Sequence, residues 1–209
     1  MQLVAYGAQD VYLTGNPQIT FFKVVYRRHT NFSIESIEQT FNGTADFGKK
    51  VSCTISRNGD LIHRLYLQTT LPSQSYTVNS SVVTYNSTDV SNGMLRWVNW
   101  VGEKLINFAE VEIGGQKIDK HYGEWLHIWN QLTNKSGHNY GYQRMVGNIP
   151  ECTNNRATSI SSGSIAQTNL YIPLQFWFCR NPGLALPLIA LQYHEVKINI
   201  EFEELKNLF

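Results

Sequence analysis

Apolar and polar residues alternate along much of this chain, which limits the folds open to it. In the segment 193–203, Val196, Ile198, Ile200 and Phe202 are apolar, and polar residues stand between them. Side chains of a strand point alternately to its two faces, so this pattern predicts a half-buried strand. The same period predicts four further strands, at 51–55, 65–71, 109–113 and 170–178.

Two features modify the simple alternation. Phe32 and Ile34 stand at even positions, whereas Ile37 and Phe41 stand at odd positions, so the two pairs would point to opposite faces of a regular strand. A β-bulge between the pairs is needed to bring them to one inward face. Pro173 lies on the face opposite to the alternating apolar residues of the strand 170–178, and a proline within a strand predicts an edge strand or a bulge.

A hairpin is predicted in the middle of the chain. Gly114 and Gly115 follow the strand 109–113, and two glycines accept the positive φ that a tight turn requires. Residues 116–118 would form the returning strand.

One segment, Tyr122 to Thr133, has the spacing of a helix. Apolar residues recur there at the i, i+3, i+4 and i+7 positions, which predicts one packed face; they are Trp125, Ile128, Trp129 and Leu132. A weaker helical turn is predicted over 95–105, and two long polar connections over 72–93 and 134–169. The pattern favours an all-β sandwich of the jelly-roll or Greek-key kind with one inserted short helix.

The composition argues against binding through overall charge. The chain has 17 Lys and Arg against 16 Asp and Glu, and a formal net charge of +1. Proteins that bind nucleic acid or anionic membranes by their overall field carry a clear basic excess, so no specific nucleic-acid partner is predicted. The three cysteines, Cys53, Cys152 and Cys179, cannot all pair within one chain, and a reducing compartment is the simpler interpretation.

No motif predicts a catalytic, cofactor or metal site. The segment Gly43 to Lys50 nearly matches a phosphate-binding loop, but Lys50 stands where the hydroxyl residue belongs and a strand follows, so a turn is predicted. His194 and Glu195 begin a zinc-protease motif that lacks its second histidine. His121 and His127 would be about 240° apart on a helical wheel, and they are interpreted as solvated or capping residues.

Five sequons occur in this Asn-rich and Ser-rich sequence. Asn79 and Asn86 lie in the predicted connection 72–93 and are the candidate glycosylation acceptors.

Four long blocks of the chain resemble, in the same order, one protein family. The blocks are GAQDVYLTGNPQITFFKVVYRRHTNF at 7–32, ISRNGDL at 55–61, VEIGGQKIDKHY at 111–122, and PGLALPLIALQYHEVK at 182–197. In these blocks the chain is similar to the major capsid proteins of nucleocytoplasmic large DNA viruses, nearest to mimivirus-like and phycodnavirus-like members.

The resemblance implies a structural protein without enzyme activity or cofactor. Family members carry two successive jelly rolls and form homotrimers, which act as pseudo-hexagonal capsomers and meet neighbouring capsomers in an icosahedral shell. The resemblance implies that residues 1–30 form an N-terminal arm near minor capsid proteins and the internal viral membrane, and that residues 31–209 form the first jelly-roll domain. The expected location is the capsid of the virion, assembled in the host cytoplasm.

Two expectations qualify this interpretation. Family chains continue past the strand at 193–203, so the last strands and the second jelly roll are expected to be absent, as in a fragment, a truncated paralogue or a split reading frame. The alternative function is a carbohydrate-binding, lectin-like β-sandwich, for which Tyr140, Tyr142 and Trp177 are the candidate contact residues.

Overall fold

A computed structural model describes residues 31–79, 82–85, 88–90, 96–154, 157–159 and 162–209. The chain divides into two units, Met1–Glu38 and Gln39–Phe209. In the first unit, residues 31–38 have no regular secondary structure. The strands and helices below belong to the second unit.

Antiparallel strands dominate the unit Gln39–Phe209. They are β1 Lys50–Thr54, β2 Leu61–Ile62, β3 Tyr66–Leu71, β4 Gln74–Asn79, β5 Val82–Tyr85, β6 Thr88–Val90, β7 Ile106–Ile113, β8 Gln116–Tyr122, β9 Ala157–Ser159, β10 Ser162–Ile165, β11 Thr168–Pro173, β12 Leu186–Pro187 and β13 Val196–Phe202.

The strands form four sheets among the described residues. One has four strands in the order β1-β13-β7-β8, and another has five in the order β6-β5-β4-β10-β9. The remaining two are the pairs β11-β3 and β12-β2. Every recorded pairing is antiparallel, as in sandwiches built from hairpins and Greek keys.

The four-stranded sheet has two ends, a loop end and a helix end. At the loop end, β13 begins and Val196 pairs with Ile113. At the helix end, β13 finishes and Phe202 pairs with Ile106. A strand of seven residues is about 23 Å long, so this distance separates the two ends.

Helices are short and are inserted between strands. They are α1 Val101–Leu105, α2 Gly123–Thr133, α3 Asn139–Met145, α4 Pro150–Thr153 and α5 Trp177–Arg180, with 3-10 turns at Ser136–His138, Pro182–Leu184 and Leu205–Asn207. Helix α1 ends where β7 begins, and α2 starts where β8 finishes, so both lie at the helix end of the sheet. The part of the chain that the structure describes contains no helix with the length and apolarity of a membrane span.

The hydrophobic core joins the four-stranded sheet to the β3–β11 pair. Inward residues of both belong to one cluster of buried side chains, which is the arrangement expected of a sandwich. The contributors from these strands are Val51, Leu67, Leu71, Ile106, Ala109, Val111, Leu170, Ile172, Val196, Ile198, Ile200 and Phe202. The cysteines Cys53, Cys152 and Cys179 are buried and are not joined in disulfides, and Cys53 faces inward on β1 as the alternation predicts.

Several sequence predictions are confirmed. The strands at 51–55, 65–71, 109–113 and 193–203 correspond to β1, β3, β7 and β13. Gly114 and Gly115 have φ angles of 59° and 83° and join β7 to β8 in the predicted hairpin. The turn Gly43 to Lys50 leads into a strand and not a helix, and β11 has the edge position expected from Pro173. The predicted strand 170–178 is correct only as far as Pro173, where β11 ends, and α5 begins at Trp177.

Other predictions are wrong. The described residues 31–41 form no strand, and the bridge that follows them, between Asn42 and Ser52, is isolated. The connection 72–93 contains β4, β5 and β6, and the connection 134–169 contains α3, α4, β9 and β10. The strands in these two connections were not predicted, because segments rich in Ser, Thr and Asn show no alternation of apolar and polar residues.

Candidate functional site

The outward face of the four-stranded sheet is a continuous polar surface. The register places Lys50, Ser52 and Thr54 of β1 opposite Glu201, Asn199 and Lys197 of β13. The same residues of β13 lie opposite Phe108, Glu110 and Glu112 of β7, which in turn face Tyr122, Lys120 and Lys117 of β8. A sheet with one apolar and one polar face is expected where one side packs on the core.

Glu110 lies at the centre of this polar face and is buried by its neighbours. Its carboxylate is 2.8 Å from Nζ of Lys50 and 2.7 Å from Nζ of Lys117, and it accepts a hydrogen bond from Nδ2 of Asn199 at 3.2 Å. Burial alone would raise the pKa of Glu110, but the hydrogen bonds and charges of Lys117 and Lys50 outweigh it and hold the pKa at about 2. Half-buried strands are expected to expose the polar side chains of this face, but Glu110 and Asn199 are buried.

A second buried carboxylate connects the three helices at the helix end. Glu103 of α1 accepts a hydrogen bond from the hydroxyl of Tyr142 on α3 at 2.7 Å and from Nδ1 of His127 on α2 at 2.6 Å. The Trp100 ring packs against the His127 ring at 5.4 Å, and Trp100 has the left-handed backbone angles φ 58° and ψ 40°. Burial, the Glu103 charge and this hydrogen bond raise the pKa of Tyr142. The cluster therefore fixes the helices to one another.

His121 is not the solvated or capping residue that the sequence suggested, whereas the His127 side chain is 43% exposed. His121 is buried in β8 and packs on Phe176 with 4.4 Å between ring centroids. Neither of its ring nitrogens has a hydrogen-bond partner among the described residues. Burial lowers the pKa of His121 to about 4; Asp119 opposes this shift and Arg180 adds to it. His127 instead bonds to Glu103.

Helix α2 packs on a different face from the one predicted. Its buried residues are Gly123, Leu126 and Asn130, whereas Ile128 and Leu132 of the apolar stripe are exposed. The other two members of that stripe, Trp125 and Trp129, lie under the guanidinium of Arg180, which is 5.5 Å and 4.6 Å from their ring centroids. The cation–π contact and partial burial stabilise these two tryptophans at the surface.

The remaining candidate residues do not form a shared site. Tyr140 is exposed, Tyr142 is bonded to Glu103, and Trp177 packs edge-on against Phe178, so the three aromatics give no common sugar-binding platform. Of the candidate acceptors, Asn79 ends β4 and Asn86 lies outside the described residues, and both stay predictions. No group of three or more His, Cys, Asp or Glu side chains suited to a metal ion occurs among the described residues.

The helix end also holds the last residues of the sequence. Phe209 stacks on Trp97 with 4.3 Å between centroids, and the backbone N–H of Val98 donates to the carbonyl of Leu208 at 3.0 Å. Leu208 is fully buried. Trp97 is also fully buried, so this contact belongs to the core.

Comparison with known proteins places this architecture among viral shell proteins. Residues 20–209 match the family model described as major capsid protein N-terminus. The chain is 63% identical over 202 residues to the major capsid protein of Pyramimonas orientalis virus, covering 97% of this chain and 46% of that protein. It is 56% identical over 223 residues to the major capsid protein of Phaeocystis pouchetii virus, covering 99% of this chain and 41% of that protein.

A solved structure supports the same assignment of the fold. The quasi-atomic model of the PBCV-1 virus capsid matches with a TM-score of 0.62 and 43% identity, over 88% of this chain and 38% of that chain. The jelly-roll sandwich predicted from the sequence is thereby confirmed. The chain spans less than half the length of the relatives it matches.

Proposed function

The chain belongs to the family of major capsid proteins of large DNA viruses, and we propose from this membership that it serves as a structural subunit of an icosahedral virus shell. The observation that carries the proposal is the family match over residues 20–209, which includes every strand of the sandwich. Its role is to bind other protein subunits, and no reacting group or cofactor is required for it. The buried carboxylates Glu103 and Glu110 have structural partners, which supports a non-enzymatic role for them.

The proposed assembly is a homotrimer that acts as a pseudo-hexagonal capsomer. A trimer has six-fold pseudo-symmetry if each subunit supplies two jelly rolls, and residues 31–209 supply the first. The relatives, of which this chain covers 41% and 46%, are long enough to hold a second domain of similar size. Residues 1–30 are proposed as an arm toward minor capsid proteins and the internal membrane.

The proposed location is the capsid of the virion, after assembly in the host cytoplasm. Quantitative mass spectrometry of purified virions tests this proposal directly. Peptides from residues 31–209 are expected among the most abundant in the particle, since a shell subunit is present in many copies. Their absence from the particle, or an abundance as low as that of packaged enzymes, would contradict the proposal.

The trimer requires a separate measurement. Sedimentation of the protein released gently from virions is expected to give three times the mass of the subunit. A monomer under conditions that keep the fold intact would refute the trimer while leaving the location in the virion untouched.

A further inference from the structure

A small cavity, the arginine cavity, lies where helix α2 meets one end of the β3–β11 pair. At this end Tyr66 of β3 pairs with Pro173 of β11. Its walls include Arg64, Tyr66, Trp129, Leu174, Cys179 and Arg180. The volume is about 270 Å³. Pockets for drug-sized molecules usually have about 300–1,000 Å³, so this cavity suits one small chemical group.

The charged side chains that line the arginine cavity are both cationic. They belong to Arg64 and Arg180, and no Asp or Glu is among the described lining residues. In the part of the chain that the structure describes, neither guanidinium forms an ion pair with a carboxylate. Two like charges at one cavity repel each other, so an anion bound there would be stabilised by both.

The guanidinium of Arg180 is held in place before any ligand binds. It lies 4.6 Å from the ring centroid of Trp129 and 5.5 Å from that of Trp125. Its Nε and Nη2 atoms donate hydrogen bonds to the carbonyl of Gln175 at 3.3 Å and 3.1 Å. Nη1 makes no hydrogen bond to the described residues and is available as a donor. A guanidinium fixed in this way loses little conformational entropy when it binds an anion.

The backbone on both sides of Arg64 is bonded to the chain near α5. On one side, the backbone N–H of Leu174 donates to the carbonyl of Leu65 at 3.0 Å. On the other side, Nδ1 of His63 is 3.2 Å from the carbonyl oxygen of Phe178. The side chain of Arg64 therefore starts from a fixed position beside the helix that ends at Arg180.

The Cys179 thiol lies near both guanidiniums. Burial raises the pKa of this thiol, and the positive charges of Arg180 and Arg64 both oppose that shift. Cys179 is buried, as is Leu174, so part of the lining is shielded from water. Charge-assisted hydrogen bonds are stronger in such surroundings than in open solvent.

We propose that Arg64 and Arg180 bind one oxyanion group, a carboxylate or a phosphate, in the arginine cavity. Planar guanidinium groups suit both oxyanions, because their N–H donors match the spacing of the oxygens. The rings of Tyr66 and Trp129 offer an apolar wall to whatever carries the anion. This site goes beyond the role of a shell subunit and does not depend on it. The oxyanion has two sources, a free anion or an acidic side chain of a polypeptide, and separate probes distinguish them.

Titration of the full chain with two probes tests the site. Inorganic phosphate represents the free anion, and a glutamate residue blocked at both ends represents the acidic side chain. The signal is the NMR shift of the Trp129 indole N–H, assigned by its loss in Trp129→Phe. A few charge-assisted hydrogen bonds give a dissociation constant on the order of 1 mM. Sodium chloride keeps the ionic strength constant, and a blocked glutamine residue is the neutral control.

Three variants assign the binding to the two arginines. Arg64→Gln removes one guanidinium and is expected to weaken binding about tenfold or more. Arg180→Lys keeps the charge but loses the planar donor set, and is also expected to weaken binding. Arg144→Gln is the matched control, because Arg144 is an exposed arginine 5.9 Å from the ring centroid of Tyr140 and does not line the cavity. Circular dichroism melts check that each variant folds.

The outcomes separate cleanly. Binding of phosphate alone assigns the site to a free anion, and binding of the blocked glutamate alone assigns it to an acidic side chain of a polypeptide. Binding of both supports the shared oxyanion chemistry. The inference is overturned if neither probe shifts the signal beyond the chloride and glutamine controls, or if folded Arg64→Gln and Arg180→Lys bind as the wild type does. A loss of binding in Arg144→Gln as large as in Arg64→Gln would also overturn it.

Discussion

Lys117 places its Nζ atom 2.7 Å from Oε2 of Glu110, on the polar face of the four-stranded sheet. Glu110 is only 4% exposed, since Lys117 from β8 and Lys50 from β1 close over it from both sides. The ion pairs therefore cross three strand pairings, β1 to β13, β13 to β7 and β7 to β8. They connect both edges of the sheet to its centre.

The charge on Glu110 is expected to make the protein sensitive to acid. Its pKa is about 2 in the folded chain against 4.5 as the reference, so the stabilisation is complete above about pH 4.5 and is lost as the pH falls toward 2. Glu110→Gln is expected to lower the free energy of unfolding by about 1–3 kcal/mol at pH 7. The substitution should also flatten the pH dependence of the free energy of unfolding between about pH 4.5 and 2, as measured by urea denaturation.

The control for this prediction is Glu124→Gln. Glu124 is exposed on α2, and its carboxylate is 4.0 Å from Nζ of Lys104. Exposed pairs contribute little, so a change within about 0.5 kcal/mol is expected. Equal effects of the two substitutions would show that burial of Glu110 has no energetic consequence.

His121 is expected to cause a second loss of stability on acidification, in a pH range above that of Glu110. Its pKa falls from 6.5 to about 4 on folding, because burial disfavours the charged ring. The unfolded chain therefore binds the proton more readily, and stability decreases as the pH falls from about 6.5 to 4, by at most about 3 kcal/mol. His121→Phe retains an aromatic ring against Phe176 and is expected to abolish this decrease of the free energy of unfolding between about pH 6.5 and 4.

The exposed His138 provides the comparison for His121. His138→Phe is expected to leave the slope between about pH 6.5 and 4 as in the wild type, because His138 lies on the surface. Persistence of the slope in the His121→Phe variant would locate the titrating group elsewhere.

The hydroxyl of Tyr142 is expected to contribute to stability through Glu103. Tyr142→Phe removes one of the two hydrogen bonds to this buried carboxylate, and the unsatisfied oxygen costs about 1–3 kcal/mol. Tyr140→Phe deletes the same atom from an exposed ring two residues away and is expected to be neutral. Urea denaturation of the two variants side by side measures the difference, and equal stabilities would contradict a structural role of the cluster.

Alternation of hydropathy located β1, β7 and β13 because each of these strands covers the core with one face. It failed at residues 31–41, since a strand also requires a neighbouring strand for its backbone hydrogen bonds, and the sequence does not show which segments become neighbours. The same limit hid the ion pairs of Glu110. Lys50 is 60 positions away along the chain, and no local pattern signals that contact.

The apolar stripe of α2 predicted the helix correctly but not its buried face. Gly123 decides the orientation, because the backbone carbonyls of Glu103 and Ile106 approach its Cα too closely for a side chain. This contact turns Leu126 and Asn130 toward the sheet and leaves Ile128 and Leu132 outward. A close backbone approach of this kind depends on the tertiary fold, so the spacing of apolar residues alone did not predict it.

Gly123→Ala is therefore expected to destabilise the fold, although alanine is the better helix former. A Cβ at this position would lie 2.3 Å from the Glu103 oxygen and 2.4 Å from the Ile106 oxygen, so α2 must move away from α1. Gly141→Ala in α3 is the matched control, because its Cβ would meet nothing within 4 Å. The control is expected to gain up to about 1 kcal/mol from helix propensity, whereas Gly123→Ala loses about 1–3 kcal/mol from overpacking. Thermal melts that moved in the same direction for both variants would contradict the close packing of α2 on α1.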